Sequence, residues 1–289
     1  MITNQNAVRL ALPKGRMQEG VLKLLADAGI QVRASSRGYR PTLSLPGYQA
    51  KILKPQNIVE MLGAGSRDIG FAGADWVREL DMNLVELLDT GLDPVRMVAA
   101  ASEDILRNGR LPRKRLVVAS EFERLTKEWI ARRGIEATFI RSYGATEVFP
   151  SEDADCIVDL AATGATLKEN NLVEVDVLMA SSTRLYASPA AMDDPKKREQ
   201  AEHLVLLLRS VLDARHRVMV EINVPAERLE AVIEILPCMR EPTMSPLHGG
   251  AGYSVKAAVP REDVPLVIPE VKRRGGTDVV VTELAQIVP

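Results

Sequence analysis

The chain has 289 residues, 46% of them hydrophobic and 26% charged, enough for two or three domains with buried cores. Its 37 basic and 39 acidic residues nearly cancel, so no net field recruits nucleic acid or an anionic membrane, and 4% aromatics argue against stacking platforms for single strands. Two distant cysteines, Cys156 and Cys238, form neither a disulfide framework nor a metal-ligand pair and fit a reducing cytoplasm. The first six residues are polar, without a signal-peptide apolar region, and no apolar run is long enough to span a bilayer.

In chain order, Val8–Leu12 reads as a buried strand and 13–16 as a loop. Met17–Ala28 carries apolar residues on one helical face, and Gly29 ends it. Asp68–Ala72 is a short strand, and Gly73-Ala74-Asp75 leads into a helix. Val95–Ala101 and Leu116–Ser120 are strands, with the basic stretch 110–115 as a solvated loop between them. Glu121–Arg133 is a helix closed by Gly134, and Ala137–Arg141 and Asp155–Leu160 are strands. Alternation of this kind implies parallel βαβ units. Leu172–Ala180 reads as a longer strand and Asp194–Ala214 as a long helix. The last part holds an internal repeat: Val220–Glu227 resembles Val255–Glu262, each a strand, a Pro, an acidic turn and a helix. Two such halves suggest a small ferredoxin-like α+β domain.

The segment richest in chemistry is Asp155–Leu167. An apolar strand ends near Asp159, and Thr163-Gly164-Ala165-Thr166 then opens a helix. Gly164 permits positive φ or close approach, and the Thr hydroxyls with the unpaired N–H groups of a helix start suit a phosphate. Asp159 can accept hydrogen bonds from sugar hydroxyls. A Thr cap on an ordinary loop explains the same residues. Glu147 binds a sugar hydroxyl or caps its own helix. Lys14-Gly15-Arg16 follows the first strand, where open α/β sheets gather ligands, and reads equally as a phosphate site or a solvated turn. Lys54 is another strand-end cation; Gly73 allows close backbone approach; Asp75 either serves a site or complements a helix dipole. The three histidines, His203, His216 and His248, are not spaced as metal ligands.

Together these residues resemble the ATP phosphoribosyltransferase that opens histidine biosynthesis. The resemblance rests on Leu12–Arg16, on Asp68–Asp75, and on Glu147 followed by Asp155–Leu172, whose run looks like the family signature. Glu241–Leu247 looks like the regulatory-domain motif of the long form. The resemblance implies a two-lobed, periplasmic-binding-protein-like (type II) catalytic part: one lobe of residues 1–95 with 181–214, the other of residues 96–180. It implies a regulatory domain over 215–289 that binds histidine as inhibitor, a dimer-to-hexamer assembly, and Mg²⁺. It places phosphoribosyl pyrophosphate on Glu147, Asp159, Thr163, Gly164, Ala165 and Thr166. It places ATP or pyrophosphate on Lys14, Gly15, Arg16, Lys54, Gly73 and Asp75, and the effector on Thr243, Ser245 and Leu247. No general base and no metal ligand are assigned. Two departures stand out: Lys54 where relatives often carry Arg, which removes bidentate phosphate geometry, and Glu241 where a small or uncharged residue is usual. The rival reading is a non-enzymatic two-lobed binding protein or sensor, but a secreted one needs an export signal.

Overall fold

A computed structural model describes residues 7–33, 38–150 and 152–288. The polar N-terminus, residues 1–6, lies outside the described residues. Strand β1 (Val8–Pro13) leads to helix α1 (Arg16–Asp27), which buries Met17, Val21, Leu24 and Leu25 on one stripe. Gly29, at φ +80°, ends this turn of chain. A short hairpin, β2 (Val32–Arg33) and β3 (Thr42–Leu43), precedes β4 (Tyr48–Leu53). Helix α2 (Pro55–Gly63) starts on a Pro whose missing N–H costs nothing there. Then come β5 (Ile69–Gly73), buried throughout, α3 (Ala74–Glu79) and the 18-residue β6 (Val85–Ser102).

A second set follows: β7 (Leu116–Ser120), α4 (Glu123–Arg133) closed by left-handed Gly134, β8 (Ala137–Arg141), β9 (Cys156–Ala161), α5 (Ala165–Glu169) and the 16-residue β10 (Leu172–Ala187). Helices α6 (Pro189–Asp193) and α7 (Pro195–Arg215) come next. Cys156 is fully buried, and burial pushes its thiol up to about 12. It is an inert core residue.

These strands make one eight-stranded sheet in the order β4-β1-β5-β10-β6-β9-β7-β8. The expected parallel units are present, and the sheet that joins them is mixed. β1, β4 and β5 are mutually parallel, as are β7, β8 and β9, but β10 is antiparallel to β5 and β6, and β6 to β9. The reason is connectivity: β6 carries the chain from one half to the other and β10 brings it back. Each half then has the same plan: β4-β1-β5-β10-β6 mirrors β8-β7-β9-β6-β10. This is the two-lobed periplasmic-binding-protein-like architecture, with a mixed sheet.

β6 and β10 are also longer than sequence patterning suggests. Asp89-Thr90-Gly91 and Asp93-Pro94 punctuate β6 like turns. The strand absorbs them as bulges, with Gly91 and Asp93 at positive φ and register shifts around Ser181–Arg184.

The chain divides into two compact units, Met1–Ala26 with Ile30–His203 and Asp27–Gly29 with Leu204–Pro289. The second holds β11 (Arg217–Val224), α8 (Leu229–Ile233), β12 (Thr243–Pro246), β13 (Tyr253–Pro260), α9 (Val264–Arg273) and β14 (Thr277–Glu283). The strand order β12-β13-β11-β14 with two helices is the ferredoxin-like α+β arrangement. The two repeated strands pair with each other, Val220 opposite Ala257. Alternate residues Val218, Val220, Ile222 and Val224 enter the core with Val232, Val255, Val259, Val267 and Val271. β12, with prolines at 242 and 246, is an edge strand that sequence patterning does not reveal. Among the described residues no helix is long and apolar enough to cross a membrane.

Candidate functional site

The signature turn has a specific backbone. Gly164 is left-handed (φ 75°, ψ 8°) and forms the start of α5. The first intrahelical bond runs from Lys168 N–H to Gly164 O at 3.1 Å, so the N–H groups of Ala165, Thr166 and Leu167 precede it. Thr163 Oγ1 accepts from Ala165 N–H at 3.3 Å and shapes the turn. A pocket of about 270 Å³ opens here, lined among others by Glu147, Asp159, Thr163, Gly164, Ala165 and Thr166. All six residues expected to meet the phosphoribosyl donor thus surround one cavity. Glu147 sits on a 3-10 turn, Thr146–Val148, entered through left-handed Ala145 rather than on an α-helix.

Burial pushes the Asp159 carboxyl up to about 6, helped by the negative charges of Glu147 and Glu121 and opposed by the Leu160 N–H. Asp159 therefore titrates near neutrality. We expect donor affinity to rise with pH from about 5 to 7 if ionised Asp159 accepts ribose hydroxyls. Asp159→Asn should remove that component and leave only the donor phosphate's own ionisation near pH ~6. Parallel pH profiles of the donor Michaelis constant check this; identical profiles would rule it out. Because the folded pKa is raised, the same group stabilises the fold most at low pH, and that contribution declines as pH climbs from about 4 to 6.

On the other half, the parallel register Pro13 opposite Leu53 puts Lys14 beside Lys54; Lys14 N–H donates to Leu53 O at 2.8 Å. Lys14, Gly15, Arg16 and Lys54 are all exposed at strand ends. Gly15 takes φ +87°. Asp75 is buried at the start of α3; burial raises its pKa, against the Trp76 N–H, Ser181 and the charge of Arg16. That opposition places Arg16 within electrostatic reach of Asp75. The Asp75 backbone N–H donates to Ser181 Oγ at 3.1 Å. A Cβ on Gly73 would lie 2.3 Å from Asp75 Oδ1, so glycine is what lets the carboxylate fold back there.

The two sets converge through the β6–β10 ribbon. Gly73, at the carboxyl end of β5, pairs with Thr183, and Ala161, at the carboxyl end of β9, pairs with Arg96, itself opposite Ala180. Along the strand direction the two ends are offset by roughly 10 Å, and three strand spacings, roughly 14 Å, separate them across the sheet. Each half points its ligand-gathering ends at the middle of the shared ribbon. The structure also brings in residues that sequence reading missed. Arg96 makes a bidentate pair with Glu174 at 2.6 and 2.7 Å, and Glu174 Oε1 lies 3.5 Å from where a Gly164 Cβ would stand. Arg96 and Glu174 are 78 positions apart, so no local pattern could have revealed them. A larger pocket of about 420 Å³, lined by Asp104, Lys114, Glu152 and Asp155 among others, lies at the amino ends of β7 and β9, away from this convergence.

Residues 54–210, more than half of the chain, match the HisG family, described as ATP phosphoribosyltransferase, and residues 214–286 match the HisG C-terminal domain. The chain belongs to the ATP phosphoribosyltransferase family. ATP phosphoribosyltransferase of Pelotomaculum thermopropionicum is 35% identical over 98% of this chain and 99% of its own length. That of Desulforudis audaxviator is 36% identical over the same shares of each. A solved ATP phosphoribosyltransferase complex, HisG with HisZ from Thermotoga maritima, superposes with a TM-score of 0.63 at 28% identity, over 71% of this chain and 98% of that one. As a family member the chain is an enzyme: it transfers the 5-phosphoribosyl group of phosphoribosyl pyrophosphate to N1 of ATP, releasing pyrophosphate, in histidine biosynthesis. The non-enzymatic reading is not favoured.

The residues assigned to the effector lie in the C-terminal-domain match. Thr243 and Ser245 are on β12, opposite Lys256 and Ser254, and Leu247 N–H donates to Gly252 O at 2.8 Å. Behind them Glu221 pairs with Lys256 at 3.1 Å and accepts from Ser254 Oγ at 3.2 Å. Thr243 and Ser245 are exposed on this edge strand. A pocket of about 530 Å³ in this unit is lined by Arg215, His216, Arg217, Pro260, Arg261 and Glu262, and by none of the three.

Proposed function

We infer that the donor occupies the Asp159 pocket and ATP the cationic strand ends opposite it. The convergence of both halves on the middle of the β6–β10 ribbon is the observation that carries this reading. The donor's 5-phosphate meets the N–H groups and hydroxyls of residues 163–166, and Asp159 with Glu147 takes the ribose hydroxyls. Lys14, Arg16 and Lys54 neutralise triphosphate or the departing pyrophosphate. Attack by adenine N1 on C1 breaks the bond to pyrophosphate at an oxocarbenium-like carbon. Adenine N1 already carries a lone pair, so alignment and charge stabilisation suffice without a general base. Single-turnover assays with ATP and phosphoribosyl pyrophosphate, comparing the native chain with Asp159→Ala and Arg16→Ala, test the assignment of each side. Arg16→Ala should weaken catalysis and flatten its salt dependence; if its rate tracks ionic strength as the native enzyme's does, Arg16 is a turn residue only.

Among the described residues no group of three or more His, Cys, Asp or Glu is arranged to hold a metal. Mg²⁺ does not need such a cage, since it binds through one or two carboxylates plus substrate phosphates. The oxygen donors Glu147 and Asp159 fit that role beside the phosphate turn. When bound there, Mg²⁺ supplies charge neutralisation to the pyrophosphate leaving group.

We read the C-terminal unit as the regulatory part, binding histidine at Thr243, Ser245 and Leu247 in a cytoplasmic dimer–hexamer system. Coupling between distinct sites is typically ~1–3 kcal/mol and reciprocal. A chain ending near Ala214 should therefore lose histidine inhibition and retain donor binding. Equal inhibition of the truncated and full-length proteins would place the effector in the catalytic halves.

A further inference from the structure

Aromatic rings are few: two Trp, five Tyr and four Phe. Among the described residues only Tyr39 and Tyr143 are exposed, at 57% and 89%. An exposed ring alone is unremarkable on a protein surface. Tyr39 is set apart by its neighbours. Lys14 Nζ lies 5.3 Å from its ring centroid and 3.4 Å from its hydroxyl. Its carbonyl accepts the Ile52 N–H at 3.0 Å, which ties it to β4 two residues before Lys54. An exposed ring is therefore held beside Lys14 at the end of β1, with its backbone tied to the strand that ends at Lys54.

The reaction constrains how adenine is held. N1 is the nucleophile, and a hydrogen bond donated to N1 would occupy the lone pair that attacks. The π faces of the base carry no such restriction, and stacking one base on an aromatic ring is worth roughly a five- to hundredfold in affinity. We propose that Tyr39 is the platform on which the adenine of ATP stacks, leaving N1 free while the triphosphate reaches Lys14, Arg16 and Lys54. This rests on the assignment of those cations to ATP. Tyr143, the other exposed ring, follows β8 and precedes Glu147, on the donor side of the sheet, and serves as the control.

The test uses the full-length enzyme and the variants Tyr39→Leu, Tyr39→Phe and Tyr143→Leu, with adenosine and inorganic tripolyphosphate as competing probes. Tyr39→Leu should raise the Michaelis constant for ATP about tenfold, leave that for the donor unchanged, and weaken inhibition by adenosine but not by tripolyphosphate. Tyr39→Phe keeps the ring and should behave as the native enzyme. The proposal is overturned if Tyr39→Leu leaves the ATP constant unchanged, if Tyr39→Phe loses as much as Tyr39→Leu, or if Tyr143→Leu carries the adenosine loss instead. Equal weakening of both probes by Tyr39→Leu would also overturn it, since the ring would then serve only to hold Lys14. Failure of the cation assignment reads separately: Arg16→Ala would then leave tripolyphosphate inhibition intact.

Discussion

Replacing Gly164 with Val should raise the Michaelis constant for phosphoribosyl pyrophosphate at least tenfold while the chain still folds. Gly164 sits at φ +75°, where a β-branched residue is strained by roughly 1–2 kcal/mol. The turn relieves that strain by moving the backbone of residues 163–166, the part assigned to the 5-phosphate. Bulk itself matters little, because an added Cβ would meet Glu174 Oε1 only at 3.5 Å, ordinary contact. Loss of at least ~1.4 kcal/mol in donor affinity corresponds to the tenfold effect. Gly164→Asn, which tolerates left-handed backbone, should cost less. A Val variant that melts normally and keeps the native donor constant would refute the phosphate assignment.

Asp68→Ala should destabilise the enzyme by about 3 kcal/mol without touching the substrate sites. The Asp68 side chain is 2% exposed and accepts from the Arg9 backbone N–H at 2.7 Å, from Arg9 Nε at 3.0 Å and Nη2 at 2.7 Å, and from Lys197 Nζ at 3.0 Å. Removing one partner of a buried ion pair costs ~3–5 kcal/mol; the low end applies because Arg9 can turn to water. Burial alone would raise this carboxyl, but the Arg9 side chain and backbone and Lys197 outweigh it and hold it below its usual range. A depressed pKa contributes stability that is present above the unfolded value near ~4 and is lost as pH falls through the folded value. Denaturant titrations of native and Asp68→Ala chains should differ near neutrality and converge in acid. A gap that persists unchanged in acid strong enough to protonate the folded carboxyl would show that the loss is packing and not the ion network.

Much of this molecule is written locally in its sequence. Val8–Leu12, Leu116–Ser120, Ala137–Arg141 and the helix closed by Gly134 are legible because apolar periodicity and a cap coincide. The Thr163–Thr166 turn is legible for the same kind of reason: a glycine between strand and helix has few other uses. The repeat near the C-terminus discloses two strands, though not that they lie side by side.

Tertiary structure decided what depends on distant partners. The full length of β6 and β10 is hidden behind Gly91, Asp93 and Pro94, which signal turns until a neighbouring strand absorbs them as bulges. The antiparallel ribbon follows from the return of the chain, which no window of sequence contains. Arg96 meets Glu174, Arg16 comes near Asp75, and Lys14 stands beside Lys54 only after the sheet has formed. The raised pKa of Asp159 likewise arises from burial and from Glu121 and Glu147, carboxylates on other segments. Sequence determines which groups are present and how each segment folds; the sheet determines which of them share a pocket, because proximity across strands is set by pairing and not by spacing along the chain.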